Sequence, residues 1–461
     1  MNQRKALIGV SFLLFIIILC GCEKNQALEE PVTPKGGENS QNSYVLRSYT
    51  VTPEAVTKQA MDLISILDDN SLRSAERTIE SVTPISGQGL RSGDENETAT
   101  PIAYLVNFSN DSGYAVLSAD SRLEPVWMIS KQGNLSIEEE PNNPTALMLM
   151  KQVELAYNVN RYEFIDRLEP GDGFTPVYPP VYPPVYPPRR STHIEYGAWE
   201  HIPGEKYEAL IPVVWGQSEE PYNLYIPKNL SKHAGCVTAA VAQIMAFHSY
   251  PRYYNWSEML KHHPLSAPNR DYPNAYRQIG QLYKDLGISL KVKYAPDGSS
   301  AYDKDVPKTF EHFGYTRKGT LSDFSFSSVQ NELKRENGKG YPVYMSASDK
   351  MKVKYKYFLW WHWKDISFES GHAFVIDGIS KARRLVREIE DQTGKEISRH
   401  YETIDLLHAN LGWNNSRYNG YYNKSVFNTN KGPVLKSMSN SVVGTDYVYR
   451  YNFKTITGIR P

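Results

Sequence analysis

Residues 177–188 read Val-Tyr-Pro-Pro three times over, and Arg189-Arg190 follows. Proline fixes φ and lacks a backbone donor, so six prolines in twelve residues exclude both helix and sheet interior. The array must run as extended polyproline II, a semi-rigid exposed spacer. The chain therefore folds on either side of a linker spanning about 166–200. A length of 461 residues agrees with two or three domains. The flanks of such an array are also within reach of proteases.

The chain carries 51 basic and 51 acidic residues, which gives no electrostatic case for a nucleic-acid partner. Arg4 and Lys5 precede an apolar run, Ala6 to Leu19, that is short for a membrane span. The run ends Leu19-Cys20-Gly21-Cys22, which resembles the lipobox of bacterial lipoproteins. That resemblance implies a signal over 1–21, lipid on Cys22, and an exported protein held at a membrane. The outer membrane, cell surface and periplasm are all open. Residues 22–43 are polar with Pro31, Pro34 and a glycine pair, and read as a tether.

Residues 44–165 have the pattern of a separate small α+β unit. Thr52-Pro53-Glu54 is a helix start, and Val56, Ala60, Leu63, Ile64 and Leu67 make one apolar face. Residues 85–100 are polar and glycine-rich, a loop. Ile102 to Phe108 and Tyr114 to Leu117 form a hairpin across Ser109 to Gly113, and Val126 to Ile129 is a further strand. Thr145 to Tyr157 has helical composition.

Residues 201–461 form the larger unit. Of three cysteines in the chain, only Cys236 lies beyond the N-terminal apolar run. It follows Gly235, and Val237, Val241, Ile244 and His248 recur after it at helical spacing up to Pro251. A cysteine in the first turn of a helix meets unpaired N–H groups and the positive end of the dipole, both of which favour thiolate, the nucleophilic form. A buried, inert cysteine is the alternative. Strands follow this first long helix, so the expected fold is α+β, a nucleophile-bearing helix packed on an antiparallel sheet.

A lone thiol needs a base. Among eleven histidines, His372 opens the apolar run Ala373-Phe-Val-Ile376, and a buried imidazole there must have partners. Asn410 ends an apolar strand before Gly412-Trp413, where its amide oxygen could hold the imidazole in one tautomer. Cysteine, histidine, asparagine is the order of papain-like enzymes.

Several stretches resemble the streptopain-like family of papain-clan cysteine peptidases. They are Gly235-Cys236-Val-Thr-Ala-Ala with its helix to Pro251, Trp215-Gly-Gln217, Pro221-Tyr-Asn223, Asp305-Val-Pro307, Gly371-His-Ala-Phe-Val-Ile-Asp-Gly378 and Gly458-Ile-Arg-Pro461. Gly113 to Asp120 is similar to that family's propeptide. The resemblance implies a papain-like catalytic domain after an inhibitory prodomain over 44–165. It makes Cys236 the nucleophile and His372 the base and acid. Gln217 and the Cys236 N–H become oxyanion donors, and Asn410 orients His372 under the shield of Trp413. Ser300, Gly371 and Trp413 fall at the substrate cleft. Protein or peptide substrates are implied, with no metal and no cofactor.

The sequence departs from the family in three places. Asn410-Leu411-Gly412-Trp413 stands where the family has Asn-Trp-Gly-Trp, so one cleft aromatic is missing. Residues 349–368, with alternating lysines, and 381–403, a charged hairpin around Gly394, are expected insertions. The alternatives to a peptidase are another acyl-transfer enzyme, an amidase or transglutaminase, and a binding lipoprotein without catalysis.

Overall fold

The computed structural model describes residues 44–46, 49–68, 77–86, 101–136, 191–261, 273–296, 298–334, 340–348, 371–414, 417–427 and 453–461, together with the backbone of 351–358 and 361–368. The signal, Cys22, the tether, the Thr145–Tyr157 helix and the Val-Tyr-Pro-Pro array lie outside the described residues.

Strand β1 (Tyr44–Leu46) precedes helix α1 (Pro53–Leu67). The Thr52 hydroxyl caps α1 by accepting the Ala55 N–H at 3.3 Å, and Pro53 occupies the first turn. The apolar face read from the sequence, Val56 to Leu67, is buried. Four strands follow: β2 (Ile79–Ser86), β3 (Pro101–Phe108), β4 (Tyr114–Ser118) and β5 (Val126–Ser130). The β3–β4 hairpin pairs Asn107 with Tyr114. Its turn takes positive φ at Asn110, Asp111 and Gly113; short polar side chains and glycine tolerate that region best.

After the array come β6 (Thr192–Tyr196) and β7 (Glu200–Tyr207), both paired with the long strand β14 (Gly371–Glu390). The linker expected over 166–200 is therefore shorter at its C-terminal end, because 192–196 is sheet and bridges β1 to β14. The nucleophile helix α2 (Cys236–His248) and helix α3 (Pro273–Ser289) pack together. Strands β8 (Lys293–Ala295) and β9 (Gly298–Ser300) make a small ribbon, and α4 (Val306–His312) follows. Then come β10 (Arg317–Asp323), β11 (Val343–Ser348), the hairpin β12 (Met351–Phe358) and β13 (Trp361–Phe368), β14, β15 (Glu396–Asn410), β16 (Gly420–Asn423) and β17 (Lys454–Arg460). Both expected insertions are hairpins: β12 pairs with β13, and β14 with β15 through a turn at Gly394.

The main sheet runs β10-β17-β11-β14-β15-β16-β5-β4-β3-β2. The strands of residues 44–136 thus continue the same sheet as the strands that follow the array. The seam is β16 against β5, with Tyr421 opposite Ile129 and Tyr422 opposite Met128. Every residue of both strands is buried. Two cores cross the seam: one joins Ile102, Tyr114 and Trp127 to Phe374 and Leu407, and the other joins α1 to Ala382, Val386 and Ile404. Arg384 adds a polar joint. Its guanidinium is 2% exposed and bonds Glu402 at 2.5 Å, Gln59 at 3.1 Å and the Tyr44 hydroxyl. It lies 4.2 Å from the Tyr196 ring centroid and 4.5 Å from that of Trp199.

Candidate active site

Helix α2 lies against β14 and β11. Ten of its residues, Val237 to Ala246, are buried, which is why it reads as apolar nearly all round. Gly235 precedes it at φ 96°, a backbone shape that favours glycine, and a Cβ there would stand 3.3 Å from the Ser299 carbonyl oxygen. That close approach sets β9, and exposed Ser300 at its end, beside the start of α2.

Cys236 is the first residue of α2, partly exposed, and a free thiol. The backbone N–H of Ala373, the residue after His372, favours the thiolate of Cys236. Cys236, far from β14 in sequence, packs against the cluster that holds Ala373, the residue after His372. His372 is the second residue of β14 and follows exposed Gly371. Its Nε2 lies 2.9 Å from the Leu411 carbonyl oxygen. A carbonyl can only accept, so Nε2 carries the hydrogen and Nδ1 keeps the lone pair. Trp413 stacks on the imidazole, with centroids 5.3 Å apart and planes 19° apart, and Phe374 lies at 5.9 Å.

Asn410 does something other than orient the imidazole directly. Its Nδ2 donates to the Val213 carbonyl at 2.8 Å, and its Oδ1 accepts from Gln243 Nε2 at 3.0 Å and from the Gly412 N–H at 3.4 Å. The Leu411 carbonyl has the imidazole contact instead. Asn410 is 3% exposed and ties the 411–413 turn to α2 and to the strand-like stretch at Val213. Gln217 is buried, and its carbonyl accepts the Ala234 N–H at 2.7 Å, two residues before Cys236.

Electrostatics also differ from the sequence expectation. Burial pushes the Cys236 thiol up, and the charge of Asp303 adds to this, against the N–H groups of Ala373, Val237 and Cys236 itself. Burial holds His372 down at about 4, with the Leu411 contact pulling the other way. Desolvation outweighs the helix terminus. Near neutral pH the pair in this structure is thiol and imidazole, both uncharged.

Residues 215–253 and 252–422 match the peptidase C10 family. This stretch, somewhat under half of the chain, is similar to the C10 peptidases. Streptopain from Streptococcus pyogenes serotype M28 is 28% identical over 204 residues, covering 34% of this chain and 46% of streptopain. The serotype M1 streptopain is 27% identical over the same length. The chain spans about half the length of the curated relatives it matches. A prointerpain A fragment from Prevotella intermedia aligns with TM-score 0.49 and 18% identity over 84% of this chain and 99% of the fragment.

The fold sets Trp413 against His372 at the start of β14, the strand on which α2 packs, with Gly371 beside His372 and with Gln217 and Ser300 on segments that flank α2. Three participants escaped the sequence reading. Gln243 carried a signal: it lies seven residues after Cys236 on the same helix face. The Leu411 carbonyl carried none, since backbone groups are anonymous in sequence. Asp303 was one carboxylate in a polar turn. A histidine–carboxylate pair, His408 Nδ1 to Asp377 Oδ1 at 2.6 Å, was also missed. Asp377 is 1% exposed and its Oδ2 accepts the Ile211 N–H. That pair borders a cavity of about 220 Å³ lined also by Ser130, Lys131, Glu208 and Tyr421, at the seam rather than at Cys236.

Proposed function

We propose that the chain is the precursor of an exported, lipid-anchored cysteine endopeptidase. The observation that carries this is the free Cys236 thiol at the start of a buried helix, packed against the cluster that holds Ala373, the residue after His372. Cys236 attacks the scissile carbonyl carbon while His372 Nδ1 takes the thiol proton. The C–N bond of the tetrahedral intermediate then breaks as His372 returns that proton to the leaving amine, and water hydrolyses the thioester.

The Leu411 carbonyl keeps Nδ1 the basic nitrogen, and Trp413 covers the ring. Asn410 acts one step back, by fixing the turn that presents Leu411 and Trp413. Gln217 and the Cys236 N–H serve as oxyanion donors, each worth about 10²–10³ in rate. Ser300 and Gly371 border the substrate cleft.

Residues 44–165 act as an inhibitory prodomain, and Cys22 carries the lipid at an outer membrane, cell surface or periplasmic face. The buried seam supports a prodomain that stays docked after the linker is cut, since strand pairing and two shared cores would hold it. Hydrolysis of casein by the purified full-length chain, with and without limited proteolysis, tests the reading. Cleavage by wild type and none by Cys236→Ala is expected. Equal cleavage by both would refute it.

A further inference from the structure

We propose that Asp303 is a specificity-determining residue of the cleft, the acidic contact for a cationic substrate side chain next to the scissile bond. This rests on the peptidase reading above. Asp303 stands three residues after Ser300, on the short 3-10 turn Asp303–Asp305 that leads into α4. Both carboxylate oxygens are fixed. Oδ1 accepts the Tyr344 hydroxyl at 2.7 Å, and Oδ2 accepts the Ser346 hydroxyl at 2.8 Å.

Both hydroxyls come from β11, the strand beside β14. Ser346 is paired with Ala373 and Ala347 with His372, and the Ala373 N–H meets the thiol. The carboxylate is thus held one strand across from the reacting pair. Tyr344 is fully buried and Ser346 is 7% exposed, while Asp303 itself is partly open to solvent. The two hydroxyls fix the carboxylate on that buried floor. Among the described residues no lysine, arginine or histidine forms an ion pair with Asp303. The nearby ammoniums of Lys304 and Lys293 lie over the Tyr302 ring instead, at 4.9 and 5.6 Å.

An ionised carboxylate has about four acceptor positions, and two neutral hydroxyls leave room for a cation. Its charge reaches the sulfur, where it disfavours thiolate. A carboxylate needed only to tie a turn to a strand has no reason to sit where it hinders the nucleophile. A guanidinium or ammonium from the substrate changes the sign of that effect. It pairs with Asp303, neutralises the charge, and relieves the thiol of it at the moment of binding. The substrate class is therefore a peptide with arginine or lysine immediately beside the cleaved bond.

The test uses full-length protein assayed after its activity reaches a plateau. Peptide pairs differ only in arginine against citrulline, or lysine against norleucine, at each of the two residues before the cleaved bond. The expected wild-type preference in kcat/KM for the charged member is about 10-fold or more at one position. Asp303→Asn should shrink that ratio to about 2-fold or less and move the pH midpoint of Cys236 alkylation downward. A turn-tying role alone would leave that ratio unchanged, whatever it did to alkylation. Equal use of both members by the wild type overturns the proposal even if the variant does not fold. So does a preference that survives Asp303→Asn. Hydrolysis of neither member by the wild type refutes the peptidase reading itself, and the proposal with it.

Discussion

Replacing Arg384 with alanine should loosen the joint between residues 44–136 and the catalytic sheet. The guanidinium is 2% exposed, inside a cage of Tyr44, Tyr196 and Trp199, and it bonds Glu402, Gln59 and the Tyr44 hydroxyl. Removing one partner of a buried ion pair costs about 3–5 kcal/mol, because the other is left uncompensated. Glu402 is 26% exposed and can recover some water, so about 3 kcal/mol is the better figure. That is a factor of about 10² in the folding equilibrium. Arg384→Met keeps the stem against the three rings but leaves Glu402 equally uncompensated, so it should lose only somewhat less, about 2–3 kcal/mol. Urea unfolding followed by tryptophan fluorescence reads both variants, with Trp199 in the cage as a local reporter. Exposure of β1 and α1 to a protease should rise in step. If Arg384→Ala unfolds within about 0.5 kcal/mol of wild type, the cage is not what holds the two parts together.

Three further outcomes follow from the site. Asn410→Ala should reduce turnover yet leave measurable activity, because it acts through the Leu411–Trp413 turn, whereas His372→Ala should be far worse; equal losses in single-turnover assays would contradict the assignment. Acid should weaken the fold: His372 and His248 are both held at about 4 by burial, below the ordinary 6.5, so the unfolded chain binds more protons between those values. Their contribution is complete above about pH 6.5 and is lost as pH falls toward 4; a urea midpoint that is flat across that window would be inconsistent with it. Processing should cut before Thr192, since 192–196 and 200–207 are strands of the sheet; N-terminal sequencing should place the active species between Leu168 and Thr192, and a start beyond Tyr207 would contradict the β6–β14 pairing.

Much of this molecule is local and therefore legible in sequence. The Thr52-Pro53 start of α1, the Asn110-Asp111 turn, the apolar run after Cys236 and the Gly394 hairpin each follow from caps, periodicity or turn chemistry. The seam does not. Tyr421-Tyr422 and Val126-Trp-Met-Ile129 are short apolar strands, and nothing in either says that they pair with one another. Two units that each look self-sufficient in pattern can still share a sheet edge. The site divides in the same way. Cys236 and His372 announce themselves by chemistry. Asn410 was found by its place after an apolar strand, but its amide bonds were settled by Val213 and Gln243, which compete for the same two groups. Helix position at the thiol is visible in sequence, and the burial that opposes it is not. Asp303 depended on the register of β11 against β14, which only the folded chain reveals.

The central claim is that Cys236 forms a covalent acyl intermediate. Full-length protein is mixed with an excess of a good peptide or ester substrate, quenched in acid within the first turnovers, digested and weighed by mass spectrometry. The account predicts a mass increment equal to the acyl portion of the substrate on the peptide containing Cys236, and its absence in Cys236→Ala. Steady hydrolysis with no adduct on Cys236 at any quench time, or an adduct on another residue, would contradict it.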